Sequence, residues 1–357
     1  MHDNKRVNKQ VWGRVGGRCL RAMQVWLCAV GVSVFLQSAW AARTESVVVS
    51  VPGPRNLSYL PIELIARIGA DRAEGLDVRL LHTGGGGVAL NHLVSRNADF
   101  AVAGMPAAMS LRANGGDVVV IAAVNDAPLF VLMVRSALKE RVKRIADLKG
   151  LVLGVNTSTR ASKTTSQQLL ELLLLSGGVG SDDVRIVPAG QSWQEQSSLL
   201  LTATADAVMG DEPFASRLRE AGHVYFLANL ADPHSVRGIK GVNFLHAALE
   251  VRGETIQRHP DRVARMVRAL QRTLVWMRQH TPEEIINTLD VQDATERRAL
   301  LGALRRYPRA YSRDGRLSAA QLAETEAFFH AGSPLEPGSP PLTYQSMVNT
   351  RWAGLSE

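Results

Sequence analysis

Short β-branched runs alternate with helix-length segments along most of this chain, and that alternation restricts the fold more than any other feature. Residues 46–51 (SVVVSV) read as a buried strand ended by Pro52, Gly53 and Pro54. Residues 60–73 place Ile62, Ile65 and Ile68 at helical spacing, with Gly75 as a stop. Residues 76–82 return as a strand. The run Gly84, Gly85, Gly86, Gly87 leads into a helix over residues 88–95, and residues 99–103 (DFAVA) and 118–124 are further strands. Such a series implies a parallel sheet with helices on both faces. Ligands of such sheets sit beyond the carboxyl ends of the strands, in the loops that open the next helix.

The same rhythm recurs. Residues 151–155 read as a strand, 156–162 as a polar loop and 163–175 as a helix; strands at 184–187, 207–209 and 224–227 alternate with helices at 195–202 and 214–221. Two apolar extended segments, 129–134 (LFVLMV) and 242–249 (VNFLHAAL), lie where the chain would leave one unit and return to it. The remainder is helical, over 260–279, 282–289, 295–306 and 318–329, and residues 333–341 are rich in Pro and Gly. The expectation is therefore two α/β lobes joined by two crossing strands, with a cleft between them suited to a small molecule. Residues 42–130 would start lobe 1, 131–241 would form lobe 2, and 242–357 would return to lobe 1 and add the C-terminal helices.

The formal charge of +8 sits mainly at the start of the chain. Residues 1–41 carry Lys5, Arg6, Lys9, Arg14, Arg18 and Arg21 against Asp3, a net of +5, which leaves +3 spread over the rest without a basic block. Nucleic acid is therefore not the expected partner. Those first residues instead have the pattern of a signal peptide over 1–41: a basic start, an apolar run over 22–36, then Ala39, Trp40 and Ala41 as a small-x-small cleavage site. An uncleaved anchor is the rival reading, since no charge falls between Arg21 and Arg43. Both place the bulk of the protein outside the cytoplasm, in the periplasm for the cleaved form. Both cysteines, Cys19 and Cys28, belong to this segment, so the mature chain would offer no disulfide, thiol nucleophile or cysteine metal site. His82 and His92 have no metal-ligand spacing, and neither metal nor cofactor is expected.

Several pieces, in this order and spacing, resemble the sulfonate, nitrate and thiamine-precursor group of ABC-importer binding proteins. They are GGGGVALNHLVSRNADFAVAG (84–104), VKRIADLKGLVLGV (142–155), DDVRIVPAG (182–190), ADAVMGDEPFASRL (205–218) and RHPDRVARMVRALQRTLVWM (258–277). The resemblance implies a periplasmic-binding-protein type II fold, a small polar ligand, an ABC-transporter permease as partner, a monomer, and no enzymatic activity. It also extends to fold relatives that are enzymes, one relying on a cysteine cluster that the mature chain would lack.

Candidate ligand-binding residues follow from the loops. Asn56, Ser58 and Tyr59 stand in the first strand-to-helix loop, where Asn56 or Ser58 can equally cap the helix. Gly85 and Gly86 can bring backbone N–H groups to an anion or simply make a turn. Gly104 and Met105 close the third strand and resemble the family's ligand-side turn. In the second lobe Thr159 and Arg160 occupy the corresponding loop, and Arg160 can grip an oxyanion with two parallel hydrogen bonds. Asp211 can accept from an amine or ring nitrogen, while its neighbour Glu212 is better read as a helix cap. Trp193 can stack on a ligand ring or serve packing. The ligand is accordingly expected to be anionic or zwitterionic, with an aminopyrimidine as the alternative.

Overall fold

The computed structural model describes residues 44–232, 242–332 and 342–356. The chain divides into a unit over Met1–Thr44 and a second over Glu45–Glu357, and every strand and helix named here lies in the second. The expected signal segment lies outside the described residues, as do the Pro- and Gly-rich residues 333–341. No helix among the described residues is long and apolar enough to cross a membrane.

The chain runs β1 (Glu45–Val51), α1 (Leu60–Arg67), β2 (Leu76–His82), α2 (Gly86–Val94), β3 (Phe100–Gly104), α3 (Met105–Ala113) and β4 (Val119–Asn125). It continues with β5 (Phe130–Arg135), β6 (Val152–Val155), α4 (Thr165–Ser176), β7 (Arg185–Pro188), α5 (Trp193–Leu201), β8 (Ala207–Asp211), α6 (Phe214–Glu220), β9 (Val224–Asn229) and β10 (Ala247–Val251). Helices α7 (Gly253–Arg258), α8 (Pro260–Gln279), α9 (Pro282–Thr288), α10 (Ala294–Arg306) and α11 (Ala319–Gly332) come next, with a small parallel pair β11 (Leu317–Ser318) and β12 (Leu355–Ser356).

Two five-stranded sheets result, ordered β2-β1-β3-β10-β4 and β7-β6-β8-β5-β9. The repeated alternation in the sequence thus becomes two copies of one arrangement. Neither sheet is wholly parallel. β10 runs antiparallel between β3 and β4, and β5 runs antiparallel between β8 and β9. Each crossing segment therefore does more than cross: it becomes a central strand of the sheet it enters. Residues 126–129 make one passage between the sheets; the other joins β9 to β10, and of it residues 230–232 and 242–246 are described. Both inserted strands are buried along nearly their whole length, which explains their continuous apolar character.

Helix α1 stops at Arg67, short of the expected residue 73, because Gly69 takes a left-handed φ of 72° and the chain turns back through Arg72–Glu74. Helix α3 was not expected from the sequence at all. Pro106 stands at its first turn, where the missing N–H is no loss, and its first seven residues are buried. Helix α11 ties the halves together. Phe328 stacks on Phe244 at 4.5 Å within the core of the second sheet, while Phe329 packs with Leu90, Leu93 and Met105 of the first.

Candidate functional site

The loops at the carboxyl ends of both sheets meet face to face, and glycine sets how closely. Gly104, at the end of β3, has an ordinary extended backbone, with φ of −69°, so nothing in its conformation requires glycine. A Cβ there would stand 2.0 Å from Thr165 Oγ1 at the start of α4. A Cβ on Gly85 would lie 2.5 Å from the Thr157 carbonyl oxygen, and one on Gly87 2.8 Å from that of Ser162. The glycine run predicted to cradle an anion is thus packed backbone to backbone against the opposite loop. Hydrogen bonds reinforce the closure: Ser162 Oγ donates to Ala107 O at 2.9 Å, Gln168 Nε2 to Pro106 O at 3.0 Å, Lys163 N to Ser110 Oγ at 2.9 Å and Leu57 N to Glu212 O at 3.0 Å.

Between these contacts lies a cavity of about 10 Å³ whose walls include Tyr59, Gly104, Phe130, Asn156, Thr165 and Gln191. That is room for about one water. Gly86, Ala107 and Thr165 also line it, so the N-termini of α2, α3 and α4 converge on one point. Their dipoles favour negative charge at that point, with no Lys or Arg side chain in the wall.

Behind the cavity stands a polar core. Asp211, at the end of β8, is 1% exposed and accepts from Gln191 Nε2 at 2.9 Å and Gln196 Nε2 at 2.8 Å. Burial raises its carboxyl above the usual range, although the surrounding amides of Asn56, Gln196, Gln191 and Asn156 pull the other way. Glu250 on β10 is fully buried, and burial raises it well above the ordinary carboxylate value despite the N–H that Ala103 donates at 3.0 Å. His246 lies with its ring 4.9 Å from that of Phe130, and burial pushes it down to about 3, so it is neutral.

Several buried polar atoms here have no hydrogen-bond partner in the protein: Thr165 Oγ1, Gln191 Oε1 and both ring nitrogens of His246. Each such atom costs about 1–3 kcal/mol; Thr165 and Gln191 line the cavity, and the His246 ring lies against Phe130 of its wall.

The sequence candidates distribute unevenly over this geometry. Tyr59, Gly86 and Gly104 reach the cavity wall. Asn56 caps the Leu57–Tyr59 turn through Ser58 N at 2.9 Å and its amide also faces Asp211. Ser58 and Met105 are buried beside it. Gly85 and Thr159 belong to the interlobe contact, and Thr159 Oγ1 accepts from Ser162 N within its own loop. Arg160 is exposed and stands outside the cavity wall. Glu212 caps α6, accepting from Ser216 N at 3.1 Å, and Trp193 carries the Arg217 guanidinium 3.8 Å above its ring. Asn156, Thr165, Gln191, Gln196 and His246 were missed. An amide or histidine facing inward has no one-dimensional signature that separates it from one in solvent.

A family model described as "NMT1/THI5 like" matches residues 72–285. No curated protein matches the sequence. Among solved structures, a protein from Bordetella bronchiseptica RB50 superposes with a TM-score of 0.76 at 21% identity, over 87% of this chain and 96% of that one. The alkanesulfonate-binding protein SsuA from Xanthomonas axonopodis pv. citri, bound to MOPS, gives 0.67 at 18% identity, over 87% and 100%. The desulfurization enzyme DSZB gives 0.56 at 18%, over 87% and 97%. At these identities the likeness establishes a shared fold, and that fold serves both binding and catalysis.

Proposed function

Because the chain belongs to the NMT1/THI5-like family and has the periplasmic-binding-protein fold, we propose that it is the extracytoplasmic solute-binding component of an ABC importer. The observation that carries this reading is the set of unpartnered buried polar atoms at the interlobe cavity, Thr165 Oγ1 and Gln191 Oε1 in its wall and the His246 ring nitrogens behind Phe130. A ligand held between the lobes would pair them and recover the cost of leaving them bare. The basic-then-apolar segment over residues 1–41 supports export.

The ligand carries groups of both kinds. Three convergent helix N-termini and the Thr165 hydroxyl suit an oxygen-rich or anionic end. Gln191 Oε1, His246 and the acids behind them suit N–H donors at the other. This favours a zwitterion or an amine-bearing heterocycle over a bare inorganic anion. Arg160, exposed on the second-lobe loop, would act on the ligand during capture rather than in the closed site. Since the closed cavity holds about one water, a ligand enters by hinge motion at the two crossings, residues 126–129 and the described residues 230–232 and 242–246, and its bound form stands somewhat wider than this one.

A thermal-shift screen against amino-sulfonates, alkanesulfonates, nitrate and aminopyrimidines tests the reading, since a ligand specific to the folded state raises the melting temperature. A compound with both group types should raise it and be recovered unchanged. Conversion of the compound would identify an enzyme instead, and a response to nitrate alone would refute the two-ended ligand.

A further inference from the structure

Near the hinge, the space outside the interlobe cleft far exceeds the space within it. A groove of about 630 Å³ lies behind the hinge, between the end of α8, the start of α9 and residues 307–313, and it shares Asp126, Arg278, Ser312 and Arg313 with an adjoining groove of about 810 Å³. Its size falls within the usual range for small-molecule sites. Leu274, Met277, Ile285 and Leu304 supply an apolar floor. Arg278, Arg309 and Arg313 stand at its exposed edge, and none of the three belongs to an ion pair in the described residues, whereas Arg316 is committed to Asp314 at 3.7 Å.

We propose that this groove is a second binding site, for an amphipathic anion: an acyl or aryl body on the floor and a carboxylate or sulfonate among the three arginines. The charge pattern selects the ligand's sign. Three unpaired guanidinium groups, each able to take an oxyanion with two parallel hydrogen bonds, surround apolar surface that a fully hydrated ion would leave uncovered. Asp126 is the acid that opposes them. Burial, with the nearby charge of Asp314, pushes its carboxyl up to about 6, so it holds its charge less firmly than an ordinary aspartate.

The location couples the site to the lobes. Asp126 begins the 126–129 crossing, its N–H donates to Ala310 O at 2.8 Å, and its carbonyl accepts from Gln321 Nε2 of α11 at 3.1 Å. Tyr311, in the groove wall, bridges to Asn125 at the end of β4. An occupant of the groove therefore leans on the strand pairing that fixes the hinge.

The probe is 1-anilinonaphthalene-8-sulfonate, an aryl sulfonate whose emission rises in an apolar setting, titrated into the folded protein at low salt. Binding should be saturable, should weaken at least tenfold in the double variant Arg278→Glu/Arg313→Glu, and should persist in Gly104→Val, which obstructs closure of the interlobe cavity. Both arginines are exposed, so circular dichroism should show the double variant folded. Unchanged affinity in the double variant, or binding lost in Gly104→Val and kept in the double variant, would overturn the proposal; only the latter would place the probe in the interlobe site.

Discussion

Asp211 shows how much of this site depends on one buried side chain. Its two oxygens gather Gln191 and Gln196, and those amides in turn orient the interlobe wall, since Gln191 also reaches the Tyr59 hydroxyl at 3.4 Å. Replacing it with Asn puts a second amide nitrogen against amide donors and leaves one N–H group unpaired at the core. Asp211→Asn should therefore destabilise the fold by about 1–3 kcal/mol, measurable by urea unfolding, and weaken ligand binding as well. Stability equal to that of the unaltered chain would mean the glutamines turn over and pair elsewhere. The aspartate was visible in the sequence at a strand end, before a proline. The glutamines around it were not, because an amide reads the same whether it faces a carboxylate or water.

At the level of elements, strand and helix order was legible because periodicity and turn residues mark it locally. The antiparallel insertion of β5 and β10 was not, because pattern reports burial and leaves the partner unspecified. Helix α3 was lost behind Pro106, a residue that permits a helix start as well as it marks a turn. Helix α1 supplies a pH-dependent property. Glu63 accepts from Arg55 N at 2.7 Å, and burial drives its carboxyl from 4.5 to about 7 in the folded chain, against the pull of that N–H and of the Arg55 charge. The folded state thus holds this proton more tightly than the unfolded chain. The contribution is complete below about pH 4.5, declines as pH rises toward 7 and is gone above it, by about 3 kcal/mol at most. Glu63→Gln keeps the acceptor for Arg55 N and removes the charge. It should flatten the fall in melting temperature between pH 5 and 7, and an unaltered slope would show that Glu63 ionises freely.

The whole molecule is held shut from more than one side. On one, Tyr307 Oη donates to Glu212 Oε1 at 3.1 Å and Arg306 Nη1 to Ser216 Oγ at 2.5 Å, linking the end of α10 and the residue after it to α6 and the turn before it. On another, α11 seats Phe328 and Phe329 in separate cores. At the front, glycines allow the strand-end loops to meet. Opening must break the front contacts while the two crossings flex, and a ligand that bridges Thr165, Gln191 and His246 replaces those contacts with its own. The two-lobed plan could be read from the doubled alternation and the family resemblance. The tightness of closure could not, because it depends on atoms absent from Gly85, Gly87 and Gly104, three glycines facing residues more than fifty positions away.

That closure is also where the proposed function is most exposed to test. Gly104→Val leaves a backbone angle that valine tolerates, yet its Cβ would stand where Thr165 Oγ1 now lies. The decisive measurement is calorimetric titration of the first ligand found by thermal shift into the unaltered protein and into Gly104→Val. The unaltered protein should bind one equivalent, and the variant, with the same circular dichroism, should bind at least tenfold more weakly, a loss of about 1.4 kcal/mol or more. Equal affinity in the two would contradict a ligand held between closed lobes.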